Sequence, residues 1–229
     1  APRRVERYRL GTLIGRTWYG YWSDRTEEVR AISAAAIPTT AGNLKTVTHY
    51  ETTGGIRRVI RVVHPDGLET RYTYPANGAP SPEYVDHGGV QAGAVVNGTR
   101  TRTEVDSLGR TFRTTRQDLQ PGGTVITTDV IHHTAFDVQG RPTTTTYLDG
   151  EQVTRTYACC GLESETDRDG VTTTYGYDDA GRRTSITRHG ITLIDDLDAA
   201  GRVWRRRRVG TDSTEVILST TTYDTAGRV

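Results

Sequence analysis

One six-residue signature recurs five times in this chain: an apolar or aromatic residue, Asp, two variable residues, Gly and Arg. The copies read VDSLGR (105–110), FDVQGR (136–141), YDDAGR (177–182), LDAAGR (197–202) and YDTAGR (223–228). They supply Asp106, Gly109 and Arg110; Asp137, Gly140 and Arg141; Asp178, Gly181 and Arg182; Asp198, Gly201 and Arg202; and Asp224, Gly227 and Arg228. Successive glycines are 31, 41, 20 and 26 residues apart. That fits a unit of about 20 residues with degenerate copies between the clear ones. A chain punctuated in this way is an array of small β units, and its function turns on what the array encloses or holds.

The chemistry of the signature is that of a turn. Asp accepts a hydrogen bond from a backbone N–H two residues on, and Gly adopts φ > 0 without steric cost. Each copy is therefore expected to form a three- to five-residue hairpin loop, a type I turn followed by a left-handed Gly. The residue before Asp ends one strand and Arg opens the next. Degenerate copies follow the same plan: Asp66-Gly67 opens DGLETRYTYP and Asp169-Gly170 opens DGVTTTYGYD. Asp149-Gly150 separates TTTTYL from EQVTRTY and reads as a two-residue hairpin turn. Thr146 then faces Val153 and Thr145 faces Thr154. Neither face is cleanly apolar in that register, so water or another polar body is expected on both sides of the sheet.

A unit written DGxxTxYxYDxxGR resembles the RHS (YD-repeat) family, and DGVTTTYGYDDAGR at 169–182 matches it almost letter for letter. The resemblance extends from about residue 44 to residue 229. It implies an all-β fold, an antiparallel YD-repeat sheet that spirals into a hollow shell or solenoid-like array. Known members include bacterial RHS proteins, the C components of insecticidal toxin complexes and the animal teneurins. Several bacterial members enclose a toxin domain at their C-terminal end, with a self-cleaving aspartyl-protease signature beyond the repeats. No segment of this chain matches that signature.

Composition narrows the partners. Hydrophobic residues make up 34% of the chain, mean hydropathy is -0.59, and two Phe stand against twelve Tyr. Such polarity alone fits disorder, but the regular β-branched runs and turn signals argue for a fold. The 29 basic and 28 acidic residues leave a net charge of +1, which argues against general nucleic-acid binding. Lys45 is the one lysine among them. Arginine suits cross-strand pairing with carboxylates and stacking on Tyr. No stretch approaches the roughly 18 apolar residues of a membrane span. The chain has no Met, and YDTAGRV stops just after a turn. A slice of a longer protein is therefore expected, with neighbouring repeats as its first partners.

Three regions follow. Residues 1–43 form a pre-repeat segment with Trp18, Trp22 and AISAAAIP. There, Thr26-Glu27-Glu28 could cap a short helix ended by Pro38, while Val29, Ile32 and Ile37 equally suit strands. Residues 44–98 hold degenerate repeats and a Pro/Gly-rich loop insertion at 75–98, with three Pro and five Gly. Residues 99–229 are the YD-repeat array.

Other residue clusters have plainer roles beside the reactive ones they suggest. Adjacent Cys159-Cys160 could form a vicinal disulfide, a redox switch or part of a metal site. In a strand they would point to opposite faces, and no second cysteine pair supports a metal, so ordinary structural residues are expected. His132-His133 lack a spaced partner for metal or acid–base work. Asp195-Asp196 near Asp198 lack the spacing of a Ca²⁺ loop. The run Arg205 to Arg208 could serve phosphate or an anionic polysaccharide, but a strand would split it between two faces, so a charged strand with acidic neighbours is expected. No catalytic, cofactor-binding or metal-binding residues are assigned, and no cofactor is expected.

The functional expectation is a structural segment of an RHS-repeat β-shell in a large secreted or surface bacterial protein. It would enclose a cargo, a C-terminal toxin domain. The alternatives are an extended self-assembling or carbohydrate-binding cell-surface module, with a glycan as partner, and more remotely a polysaccharide-degrading enzyme using two converging carboxylates.

Overall fold

A computed structural model describes residues 3–76, 79 and 81–229, and the chain divides into two compact units, 1–130 and 131–229. In the first unit β1 (Arg3–Arg9), β2 (Thr12–Tyr21), β3 (Arg25–Arg30), β4 (Leu44–Thr53) and β5 (Ile56–Val63) follow one another. β6 (Glu69–Thr73), β7 (Tyr84–Gln91), β8 (Ala94–Val105) and β9 (Thr111–Leu119) continue the series. Each of these strands pairs antiparallel with the next. β10 (Val125–Phe136) begins in this unit and ends in the second.

Thr26, Glu27 and Glu28 lie in β3, where they face Tyr21, Gly20 and Tyr19 on one side and Thr48, Val47 and Thr46 on the other. Pairing on both edges satisfies the backbone that a helix would otherwise have to satisfy internally. Lys45 and Arg25 then hold Glu27 at 2.8 and 3.3 Å.

The stretch read as a loop at 75–98 is largely a hairpin. Within it Asn77, Gly78 and Pro80 lie outside the described residues, while β7 and the first part of β8 occupy 84–98. Glycine here serves close approach as well as turning. Gly88 faces Gly98 across the pair. A Cβ on Gly98 would stand 2.0 Å from the His87 carbonyl oxygen and 2.7 Å from Gly88 Cα, which only a pair of glycines permits.

The second unit repeats the plan with β11 (Pro142–Tyr147), β12 (Gln152–Ala158), β13 (Gly161–Thr166) and β14 (Thr172–Tyr177). β15 (Arg183–Arg188), β16 (Ile191–Leu197), β17 (Val203–Val209) and β18 (Glu215–Thr220) complete it. All pairings again join antiparallel neighbours in sequence. The Asp149-Gly150 hairpin has a longer loop than the two-residue reading gave it. The Tyr147 amide donates to the Glu151 carbonyl and the Gly150 amide to the Tyr147 carbonyl, both at 3.0 Å, so three residues lie between the closing pair. Thr145 consequently faces Val153 and Thr146 faces Gln152. The one-residue slip changes every cross-strand partner. It puts Thr145 and Val153, 1% and 6% exposed, side by side.

Across β10 to β15 a polar row runs along that covered face. Thr145 Oγ1 meets His133 Nδ1 at 2.9 Å and accepts from Arg155 Nη1 at 3.3 Å, and Arg155 Nε donates to Glu165 at 2.7 Å. Farther along, Arg188 donates to Thr173 Oγ1 at 3.1 Å. The first unit has its own rungs, such as Arg58 to Glu51 and Arg100 to Asp86. Apolar burial is sparse: among the described residues Trp18, Ala36, Val95, Leu119, Val130 and Val153 are the buried hydrophobic ones. Cohesion therefore rests on continuous strand pairing and cross-strand polar pairs more than on a dry core.

Candidate functional site: a column of clasped turns

The five signature turns share one geometry. The Asp amide donates to the Arg carbonyl at 2.8–3.0 Å and the Gly amide returns to the Asp carbonyl at 2.9–3.0 Å. One carboxylate oxygen of each Asp accepts two backbone amides, those of the residue two places on and of the Arg, at 2.8–3.0 Å. Its other oxygen accepts Nε of the same Arg at 2.7–2.8 Å. The Arg thus does more than open a strand: it reaches back over its own turn and clasps the Asp. The sequence carried the signal, since Arg stands four residues after Asp in every copy.

The same backbone loop recurs without the clasp. His64 closes it onto Leu68, Gln120 onto Thr124, Tyr147 onto Glu151, Asp167 onto Val171 and Gly210 onto Thr214. At 167–171 the loop's Asp is Asp167 and not Asp169: Asp167 Oδ1 accepts the amides of Asp169 and Val171. With Val171 in the Arg position, the other oxygen of Asp167 takes Arg188 from a neighbouring strand.

Within residues 131–229 successive turns are also tied to one another. The Tyr157 hydroxyl donates to the Pro142 carbonyl at 3.2 Å, Tyr177 to Leu162 at 2.8 Å and Tyr223 to Val203 at 2.9 Å. Arg141 lies 4.2 Å over the Tyr157 ring and Arg202 lies 4.3 Å over Tyr223, a favourable cation–π arrangement. A Cβ on Gly201 would come 2.9 Å from Arg182 Nη1, and one on Gly227 would come 3.0 Å from Arg202 Nη1. The Arg of one turn therefore lies against the Gly of the next. Tyr177→Phe, which removes one tie and leaves the ring, is expected to lower unfolding free energy by about 1 kcal/mol. Urea denaturation would measure it.

The clasp fixes the charge state of each Asp. Asp178 is held below the ordinary carboxylate value first by the Arg182 guanidinium and then by the Arg182 amide. For Asp106, Asp198 and Asp224 the amide of the partner Arg is the larger cause, with its guanidinium adding to it. At Asp137 burial opposes the shift, and the amide and guanidinium of Arg141 overcome it. A folded pKa below the unfolded one adds stability above the unfolded value, near 3.8, and that stability is lost as pH falls through the lower folded values. Below about pH 4 the unfolding midpoint of the chain should fall with decreasing pH, and Asp178→Asn together with Asp198→Asn should flatten that fall. Thermal melts between pH 2 and 6 would show it.

The remaining candidates are held within the sheet. Arg205 and Arg207 both bond Asp196, Arg206 makes a two-point pair with Asp195 at 2.6 and 2.7 Å, and Arg207 also reaches Glu215. His133 is engaged with Thr145. Among the described residues no group of three His, Cys, Asp or Glu side chains is placed to hold a metal ion. Cys159 and Cys160 are not in a strand. They form the turn between β12 and β13, and their sulfurs, instead of diverging, stand 2.7 Å apart.

No curated protein matches the sequence. Among solved structures, the crystal structure of TcdB2-TccC3-Cdc42 aligns with 93% of this chain at 12% identity and a TM-score of 0.48. The Photorhabdus luminescens Tc holotoxin pore aligns with 98% at 12% identity and a TM-score of 0.26. A porin-like protein from Bacteroides uniformis aligns with 89% of this chain and 90% of its own length, at 12% identity and a TM-score of 0.31. The chain spans 15% of the length of the first of these structures and 17% of the second. None of the three reaches a TM-score of 0.5. Residues 162–188, from β13 through β15 with the YDDAGR turn, match the family model of the RHS repeat, so this part of the chain carries an RHS repeat.

Proposed function

We propose that this chain is a wall segment of an RHS-repeat β-shell in a large secreted bacterial protein, and that the shell encloses a C-terminal toxin domain. In this reading residues 1–43 lead into the wall, 44–98 are degenerate repeats and 99–229 are the array proper. The role is containment and not catalysis. The observation that carries it is the column of clasped turns, in which Arg182 and Arg202 each lie against the glycine of the following turn. Such a column extends a sheet one hairpin at a time while few apolar side chains are buried. Extensible and held by strand pairing and cross-strand polar pairs, it is suited to a partition more than to a compact catalytic core. The signature aspartates accept backbone amides and their own arginines, which leaves them poorly placed as general acids.

The test uses the native polypeptide that contains this chain. Limited proteolysis is expected to leave its C-terminal domain intact, and loosening the wall with Gly181→Val and Gly201→Val should expose that domain to cleavage. A C-terminal domain cut equally fast in both forms, or a mature polypeptide without one, would overturn the proposal.

A further inference from the structure

YACCGL at 157–162 aligns with the signature position by position: Tyr157 stands for the aromatic residue and Gly161 for the glycine. Ala158 and Leu162 replace the Asp and the Arg, so both halves of the clasp are gone, and the two variable places are filled by Cys159 and Cys160. The turn nevertheless keeps its place in the column. The next repeat's Tyr177 hydroxyl reaches back to the Leu162 carbonyl at 2.8 Å. A Cβ on Gly181 would lie 3.7 Å from Cys160 Sγ, the position relative to the next turn that Arg182 takes against Gly201. Both cysteines are exposed, and their sulfurs are 2.7 Å apart, against about 2.05 Å in a disulfide.

We propose that Cys159 and Cys160 are a reversible redox pair, two exposed thiols brought together at the hairpin tip where the ionic clasp is missing, which close a vicinal disulfide by exchange with low-molecular-weight disulfides. A thiolate of one cysteine attacks a sulfur of the small disulfide, forming a mixed disulfide and releasing one small thiol. The second cysteine, as thiolate, attacks the protein sulfur of that mixed disulfide and releases the second small thiol. The protein loses two protons and two electrons, and the reagent disulfide takes them up to become two thiols. The Cys160 thiol is held above its ordinary value by its hydrogen bond with Cys159, by slight desolvation at the hairpin tip, and by the negative charges of Cys159 and Asp178. This suits Cys160 to the second, resolving step. Reduction by a small dithiol runs the same sequence backwards. Oxidation replaces the absent ionic clasp with a covalent one inside a single hairpin tip.

The experiment treats the reduced full chain with oxidised glutathione and then maps peptide 156–168, which trypsin releases between Arg155 and Arg168 with both cysteines inside. The expected product is this peptide lighter by two hydrogens, unreactive to maleimide and restored by dithiothreitol. Cys159→Ser and Cys160→Ser should each retain one glutathione as a stable adduct. A glutathione adduct that persists on the unaltered chain, or two thiols that stay open to maleimide, would overturn the proposal. A second reading needs no oxidant. Phenylarsine oxide, a trivalent arsenical that bridges two adjacent thiols, should protect the unaltered chain from maleimide and neither single variant, and equal labelling of all three would also overturn it. Matching far-UV circular dichroism spectra would show that the variants keep the fold.

Discussion

Gly201→Val is expected to lower unfolding free energy by about 2–3 kcal/mol, since a β-branched residue is forced into a left-handed conformation. Gly201 has φ +80°, and its amide closes the LDAAGR turn onto the Asp198 carbonyl at 2.9 Å. A Cβ there would also meet Arg182 Nη1 at 2.9 Å, but that is the end of a flexible side chain and can yield. The backbone is therefore the larger cost. Two controls separate the causes. Gly201→Asn, whose short polar side chain tolerates the left-handed region, should cost about 1 kcal/mol. Ala200→Val, one place earlier at a variable and exposed position, should stay within about 0.5 kcal/mol. Urea titrations of the three variants would rank them. A valine at 201 no worse than a valine at 200 would mean that this glycine is interchangeable with its neighbours.

That ranking comes from turn chemistry, the most legible layer of this sequence. The all-β class and the antiparallel hairpins could be read from the alternation of β-branched runs with Asp and Gly, because a turn depends on four or five adjacent residues. What depended on residues far apart was harder. The loop at Asp149-Gly150 is one residue longer than an Asp-Gly pair alone implies, and that residue changed the partners along the hairpin. Gly88 and Gly98 looked like loop formers, since nothing local shows that they would face each other across two strands. The Arg clasp was present in all five copies, yet strand periodicity assigned that Arg to the following strand and hid its reach back to Asp. The convergence of Cys159 and Cys160 was hidden by the assumption of a strand, where neighbours point apart. Aligning YACCGL with the signature would have placed both residues in a turn.

Thr145→Val is expected to cost about 2 kcal/mol, although it keeps shape and volume, because it leaves polar neighbours unpaired on a covered face. Thr145 is 1% exposed. Its hydroxyl accepts from Arg155, which also holds Glu165, and shares a hydrogen bond with His133. An Arg donor on Oγ1 leaves the hydroxyl proton for His133 Nδ1, which accepts only when the ring is not protonated there. The ring's surroundings agree: His133 is held below its ordinary value first by burial and then by the positive charges of Arg155 and His132. Folding thus weakens proton binding. The associated stability is complete above the unfolded value, near 6.5, and is lost as pH falls from there through the folded value. His49, lowered by burial and Arg61, adds a slope of the same sign. His133→Leu should therefore shallow the decline in unfolding free energy between about pH 6.5 and 5 while leaving the His49 part. Thr145→Val should lower the curve at every pH in that range. Urea midpoints at half-unit pH steps would separate a loss of slope from a loss of height. A Thr145→Val curve that coincided with the unaltered chain would show that the polar row contributes nothing and that strand pairing alone holds this face together.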